Sequence, residues 1–261
     1  MLGAMTSHLC IITGSSRGLG AALLAQRLRA GHQVLGIARQ RNAELQAQAE
    51  QTGGLLEQWT LDLHDAPTAA QRLHDWLAGQ HGGGFASVTL INNAGVVGTL
   101  APLGQLPLAE LSLAMRAGLE AALLLSSAFL AATADAARWP GARRIMNISS
   151  GLGRRAMAGS AAYCAAKAGM DHFSRAVALE QAALPAAANG ARIVSIAPGV
   201  IDTDMQAQLR GADPTLFPER ERFVQLQAGG QLMSAADCAR QLLARLDHAD
   251  FGKEPIADIR D

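Results

Sequence analysis

Short apolar runs alternate with longer stretches rich in alanine and leucine along almost the whole chain. Runs such as Leu9-Cys10-Ile11-Ile12 and Val88-Thr89-Leu90-Ile91 are too short for helices and show no polar face, so they read as strands buried on both sides. The pattern predicts strands over 9–13, 33–38, 56–61, 87–91, 144–148, 192–196 and 255–259. It predicts helices over 18–30, 43–52, 66–80, 108–137, 161–184 and 235–246. Strands alternating with helices of this length give right-handed crossovers and an α/β fold, a doubly wound parallel sheet with helices on both faces. Residues 199–230 stand apart as one long irregular stretch punctuated by Pro214 and Pro218 after Pro198. A loop of that length in a compact domain is usually functional, and a substrate lid over about 199–230 is the expectation.

Composition narrows the class. Of 261 residues 49% are hydrophobic and 17% charged, the balance of a globular chain, and the length suits one domain over 1–261. Lys+Arg and Asp+Glu both number 22, so no overall field draws the protein to nucleic acid or anionic membrane. Cys10, Cys164 and Cys238 are odd in number and far apart, which reads as reduced thiols in a cytoplasmic protein. There is no charged-then-apolar leader and no unbroken apolar run of about 18 residues, so neither secretion nor membrane spanning is expected. Residues 1–7 read as a short ragged start, with Met5 a candidate initiator. The seven histidines contain no H-x-x-x-H pair, and no metal is expected.

The first strand runs into Thr13-Gly14-Ser15-Ser16-Arg17-Gly18-Leu19-Gly20 and then a helix. Glycines there allow a tight turn and a close approach of backbone to a pyrophosphate, and the helix start offers free N–H groups to it. The same residues satisfy Gly-x-Ser-x-Gly, and His81-Gly82-Gly83-Gly84 imitates an esterase oxyanion segment. The order is wrong for a hydrolase, whose nucleophile turn follows several strands and the oxyanion segment. Cofactor choice is written at the end of the second strand. An NAD-preferring site usually has an acid there; this chain has Ala38 followed by Arg39. Arg39 and Arg17 together suit a 2′-phosphate, which favours NADPH/NADP+ over NADH. Asp62 follows the third strand and is either an adenine-side acid or a helix cap.

The only tyrosine, Tyr163, lies four residues before Lys167, one of only two lysines, in an alanine-rich helical stretch. That spacing puts phenol and ammonium on one helix face. Ordered before them are Asn92-Asn93-Ala94-Gly95 after the fourth strand and Asn147-Ile148-Ser149-Ser150 ending the fifth; after them comes Pro198-Gly199-Val200-Ile201-Asp202-Thr203. With the G-x-x-x-G-x-G loop, this ordered set resembles the short-chain dehydrogenase/reductase family over nearly the whole chain. The resemblance implies a single-domain Rossmann-type fold and hydride transfer between nicotinamide and a carbonyl or carbinol carbon. It implies that Ser150, Tyr163 and Lys167 are catalytic, Tyr163 as general acid/base with its pKa lowered by Lys167. It further implies cofactor contacts from Gly14, Ser16, Arg17, Gly18, Leu19, Gly20, Arg39, Asp62, Asn93, Ala94, Gly95, Tyr163, Lys167, Pro198, Gly199 and Thr203.

One family feature is absent. The asparagine usual in the long fourth helix aligns with Gly118, which permits a kink but has no side chain to hydrogen-bond. The chain's ending resembles the sepiapterin-reductase and benzil-reductase branch, which implies reduction of ketones or vicinal dicarbonyls. Met205, Leu209, Leu216, Phe217, Phe223 and Leu226 make the expected lid apolar, either as a substrate surface or as a seal against the core. The apolar helices 108–137 and 161–184 imply a homodimer or homotetramer. An NAD-linked alcohol dehydrogenase and a non-catalytic nicotinamide-binding sensor or scaffold are the alternatives.

Overall fold

The computed structural model describes residues 7–29 and 31–261. Met5 lies outside the described residues, whereas Ser7, expected in the ragged start, already pairs in the sheet. Seven strands form one sheet: β1 (Ser7–Thr13), β2 (Gln33–Ala38), β3 (Leu55–Thr60), β4 (Phe85–Asn92), β5 (Ala142–Ile148), β6 (Arg192–Ala197) and β7 (Ile256–Asp258). Their order is β3-β2-β1-β4-β5-β6-β7, and every pairing is parallel. The winding direction reverses between β1 and β4, so their carboxyl ends open a crevice where ligands bind in such sheets.

The helices divide between the two faces. On one face α1 (Gly18–Arg29), α2 (Ala43–Thr52) and α9 (Ala235–Asp247) pack Leu19, Leu23, Leu24, Leu45, Leu242 and Leu246 onto Cys10, Ile12 and Val194. The other face carries α3 (Ala66–Gly79), α5 (Ala121–Ala132) and α6 (Ala161–Ala182), with Leu73, Leu77, Leu125 and Phe129 against Ile11, Leu90 and Ile145. Side chains alternate through the pleat, so adjacent residues of one strand feed opposite cores.

Two stretches depart from expectation. The helix expected over 108–137 is instead α4 (Leu108–Met115), a π turn (Arg116–Glu120) and α5. The π turn carries Gly118 inward, where an added Cβ would lie 3.1 Å from the Cβ of Ala166 on α6. The helix stops at Ala132 because Arg143 takes the Thr133 carbonyl at 2.8 Å and Trp139, 1% exposed, folds into the core. By length and mean hydropathy the span Leu108–Ala132 would qualify to cross a membrane, although Glu110, Arg116 and Glu120 interrupt it. Here Ala121, Ala122, Leu125 and Phe129 bury its inner face against the sheet layer. Residues 199–230 are not irregular: they contain α7 (Asp204–Arg210) and α8 (Arg220–Ala228). Leu209, Phe217 and Phe223 of this segment pack with Val97, Leu100 and Met157. Such short helices draw their stability from tertiary contacts rather than propensity.

Candidate active site

The turn after β1 holds Gly14 at φ +65° and Gly18 at φ +55°, conformations that only glycine adopts freely. Gly20 is fixed by space instead: a Cβ there would sit 2.1 Å from the Gly14 carbonyl oxygen. It therefore shapes the turn without lining the cavity beyond it, the only one of the sequence-predicted site residues that does not line it. The loop after β4 locks onto this turn. Asn93 Nδ2 donates to Thr13 O at 3.0 Å, and the backbone N–H groups of Asn93 and Ala94 both donate to Thr13 Oγ1 at 3.0 Å. Thus the β1 and β4 ends meet at the point of reversal and form one rim of a cavity of about 830 Å³.

Ala38 and Arg39 border the same cavity at the end of β2. Arg17, expected beside Arg39, reaches instead to Asp204 at the start of α7, Nη1 to Oδ2 at 2.5 Å, with both side chains exposed. Asp62 is not the helix cap, since Asp65 caps α3 by accepting from the Thr68 N–H. Hydrogen bonds from His64 hold the Asp62 carboxyl below its usual range, and the Arg39 charge adds to this. Pro198, Gly199 and Thr203 close the rim on the β6 side.

The side chains expected to be catalytic come from the end of β5 and from α6. Ser150 follows β5 in extended backbone and its Oγ accepts from the Leu152 N–H at 3.2 Å, which leaves the hydroxyl hydrogen available on the Tyr163 side. Neighbouring Ser149 is buried. Tyr163 and Lys167 stand one turn apart on α6, with the ammonium 5.7 Å from the centre of the phenol ring. Lys167 is 4% exposed, and its Nζ donates to Ile148 O at 2.7 Å. Gly95 admits it: a Cβ there would lie 3.6 Å from that nitrogen.

The electrostatics reverse one expectation. Lys167 was expected to lower the Tyr163 pKa, but burial dominates and pushes the phenol up to about 12, with the Ser150 hydroxyl pulling the other way. Burial also brings Lys167 down to about 8, opposed by the carboxylate of Asp171. A buried phenol and a buried ammonium each shift toward neutrality, and at this separation the attraction of one for the other's ion does not outweigh desolvation.

Backbone conformation and space fit a dinucleotide: positive-φ glycines at the turn, a helix start facing the cavity, and the open position at Gly95. The remaining lining combines Val97, Leu152, Met157, Leu209 and Phe223 with the charged Arg155, Arg222, Asp258 and Arg260. Of these the sequence suggested only Leu209 and Phe223. The adjacent Arg154-Arg155, directly after the β5 serines, was the one local signal for the rest.

The short chain dehydrogenase family model matches residues 8–214. The chain is 34% identical to a benzil reductase ((S)-benzoin forming) of Bacillus cereus, over 95% of this chain and 98% of that one. It is 31% identical to sepiapterin reductase of Meriones unguiculatus, over 99% and 98%. Among solved structures, a short-chain dehydrogenase/reductase from Burkholderia vietnamiensis is 34% identical with a TM-score of 0.64, covering 97% of this chain and 99% of that one. An NADP-bound Beutenbergia cavernae protein, proposed to be a gluconate 5-dehydrogenase, is 26% identical with a TM-score of 0.80, covering 97% and 94%. With the glycine turn, the reversal point and the Ser150–Tyr163–Lys167 wall already in place, these matches leave one conclusion: the chain belongs to the short chain dehydrogenase family, as an oxidoreductase whose fold binds nicotinamide cofactors.

Proposed function

We propose that the protein is an NADPH-dependent carbonyl reductase acting on a ketone or vicinal dicarbonyl compound. The observation that carries this reading is the meeting of Ser150, Tyr163 and Lys167 at a cavity that also presents Val97, Leu152, Met157 and Phe223. The full-length similarity to benzil reductases supports the dicarbonyl class. Arg39 beside Ala38, with no acid at the end of β2, supports NADPH.

In this reading the glycine turn and the Asn93–Gly95 loop hold the dinucleotide, with Arg39 at the 2′-phosphate, where Arg17 joins it only by leaving Asp204, and Asp62 toward the adenine. Pro198, Gly199 and Thr203 border the nicotinamide. When bound, the cofactor supplies hydride to the carbonyl carbon. Ser150 donates its hydroxyl hydrogen to the carbonyl oxygen and stabilises charge as it develops. Tyr163 hands that oxygen a proton. A phenol held up near 12 is fully protonated at neutral pH, the state that carbonyl reduction requires of an acid. Lys167 sits at the phenol as the nearest cation and favours the phenolate left behind. Residues 199–230 act as the lid: Met205, Leu209 and Phe223 line the cavity while Phe217 anchors the segment in the core. The proposed location is the cytoplasm and the proposed assembly a homodimer or homotetramer.

The test is NADPH oxidation with a panel of aryl and alkyl diketones. Tyr163→Phe should fold, retain cofactor affinity and lose about 10²–10⁴-fold in turnover. No turnover of any carbonyl by the wild type, or undiminished turnover by the variant, would refute the mechanism.

A further inference from the structure

The mechanism above leaves two buried acids unused, Asp171 and Asp258, and Asp171 is the deeper. Asp171 is 3% exposed and lies on the inner face of α6, one turn beyond Lys167 as Lys167 is one turn beyond Tyr163. A buried carboxylate is costly unless paired and hydrogen-bonded, and Asp171 has both kinds of partner. Arg154 Nε donates to its Oδ2 at 3.1 Å and Ser195 Oγ of β6 donates to its Oδ1 at 2.7 Å.

Arg154 belongs to the short turn that begins at Ser150, and its Nη2 also donates to Ala257 O of β7 at 2.8 Å. The turn crosses α6 at this point. A Cβ on Gly153 would lie 2.9 Å from the Lys167 carbonyl oxygen and 3.1 Å from Asp171 Oδ2. The Arg154–Asp171 pair thus ties the segment that carries Ser150 to the helix that carries Tyr163 and Lys167. The next charges outward are Asp258, which also feels Arg154, and Arg260, paired with it at 2.6 Å; both line the cavity. Charges therefore alternate from Arg260 through Asp258, Arg154 and Asp171 to Lys167.

We propose that Asp171, held by Arg154 and Ser195, is a positioning residue that keeps the Lys167 ammonium charged and registers Ser150 against Tyr163. Its carboxylate is the one group that counters the loss of charge which burial imposes on Lys167. The charged and polar groups that act with Asp171 are Lys167 on α6, Arg154 on the turn and Ser195 on β6, with Asp258 of β7 reached through Arg154.

The chain has only two lysines, so protein made with isotope-labelled lysine shows two side-chain signals, and Lys253→Arg identifies that of Lys167. Asp171→Asn keeps the shape of the side chain and should lower the Lys167 titration midpoint by about one pH unit, tenfold in its dissociation constant. Arg154→Gln takes from Asp171 the cationic partner that holds its carboxylate, and should move the midpoint in the same direction by a smaller amount. A fall in both variants, the larger in Asp171→Asn, supports the inference, since a residue that only packs leaves the lysine midpoint in place; no shift, or a rise in either variant, overturns it. If Asp171→Asn fails to fold, the direction in Arg154→Gln decides alone. A kinetic arm, which rests on the carbonyl-reductase reading, expects the alkaline limb of kcat to move with the midpoint. Because the lysine signal needs no turnover, inactivity toward every carbonyl would sink that reading and leave this inference standing.

Discussion

Acid should unfold this protein through a histidine pair far from the reactive groups. His32 precedes β2 and stacks on His8 of β1 with ring centres 4.5 Å apart. It is 9% exposed, and among the described residues its Nδ1 has no hydrogen-bond partner. Burial, with the charge of Arg27 and the presence of His8, brings its pKa down from 6.5 to about 4, against a smaller opposing effect of Asp247. His8 moves the same way, chiefly by burial. Below pH 6.5 the unfolded chain gains a proton at His32 that the folded chain refuses until about pH 4, so stability falls as pH drops through that window. At about 1.4 kcal/mol per unit, the cost of going from pH 7.5 to 4.5 is about 2.5 kcal/mol from His32 alone, a large share of a typical total. Urea unfolding of the wild type and His32→Phe at both pH values measures it. The wild type should lose about 2 kcal/mol more than the variant, which keeps an aromatic ring but does not titrate. Equal losses would refute the reasoning. Reduction consumes a proton and so gains from acid, but this pair limits how far the assay pH can fall.

Three further outcomes follow from positions already described. Gly118→Asn forces a side chain toward Ala166, beside Lys167, and should cost about 1–3 kcal/mol in thermal unfolding and lower kcat; activation instead would show that the helices part easily. Arg39→Ala should weaken NADPH binding about tenfold to a hundredfold and leave NADH unchanged, measured by titration; equal wild-type affinities for the two cofactors would remove the assignment. Leu108 and Leu179, 84% and 75% exposed, belong to the surfaces expected to pair between copies; sedimentation at micromolar concentration should show a dimer or larger species, and only a monomer would exclude it.

Much of the site was legible because it is local. The glycine turn is dictated within Gly14–Gly20 by backbone conformation and by the space between Gly20 and the Gly14 carbonyl, so its spacing survives in the sequence. Tyr163 and Lys167 are joined by one helical turn, and Ser150 stands at a strand end at fixed offset. The substrate side was less legible. Arg155, Met157, Arg222, Asp258 and Arg260 come from a loop, from α8 and from the end of the final strand, and beyond the Arg154-Arg155 pair nothing in their neighbours announces that they share a cavity.

By itself the sequence determined the alternation of strands and helices, the glycine turn after β1 and the order of the candidate catalytic residues, since each is set by period or spacing over a few positions. The tertiary structure decided the rest. Helices α7 and α8 form where prolines suggested a loop, because Leu209, Phe217 and Phe223 find a partner surface in Val97, Leu100 and Met157. The π turn at Arg116–Glu120 is settled with α6 packed against it, with Gly118 facing Ala166. Above all, the ionisation of Tyr163 and Lys167 depends on desolvation and on Asp171, and burial is a property of the assembled layers that no local pattern carries.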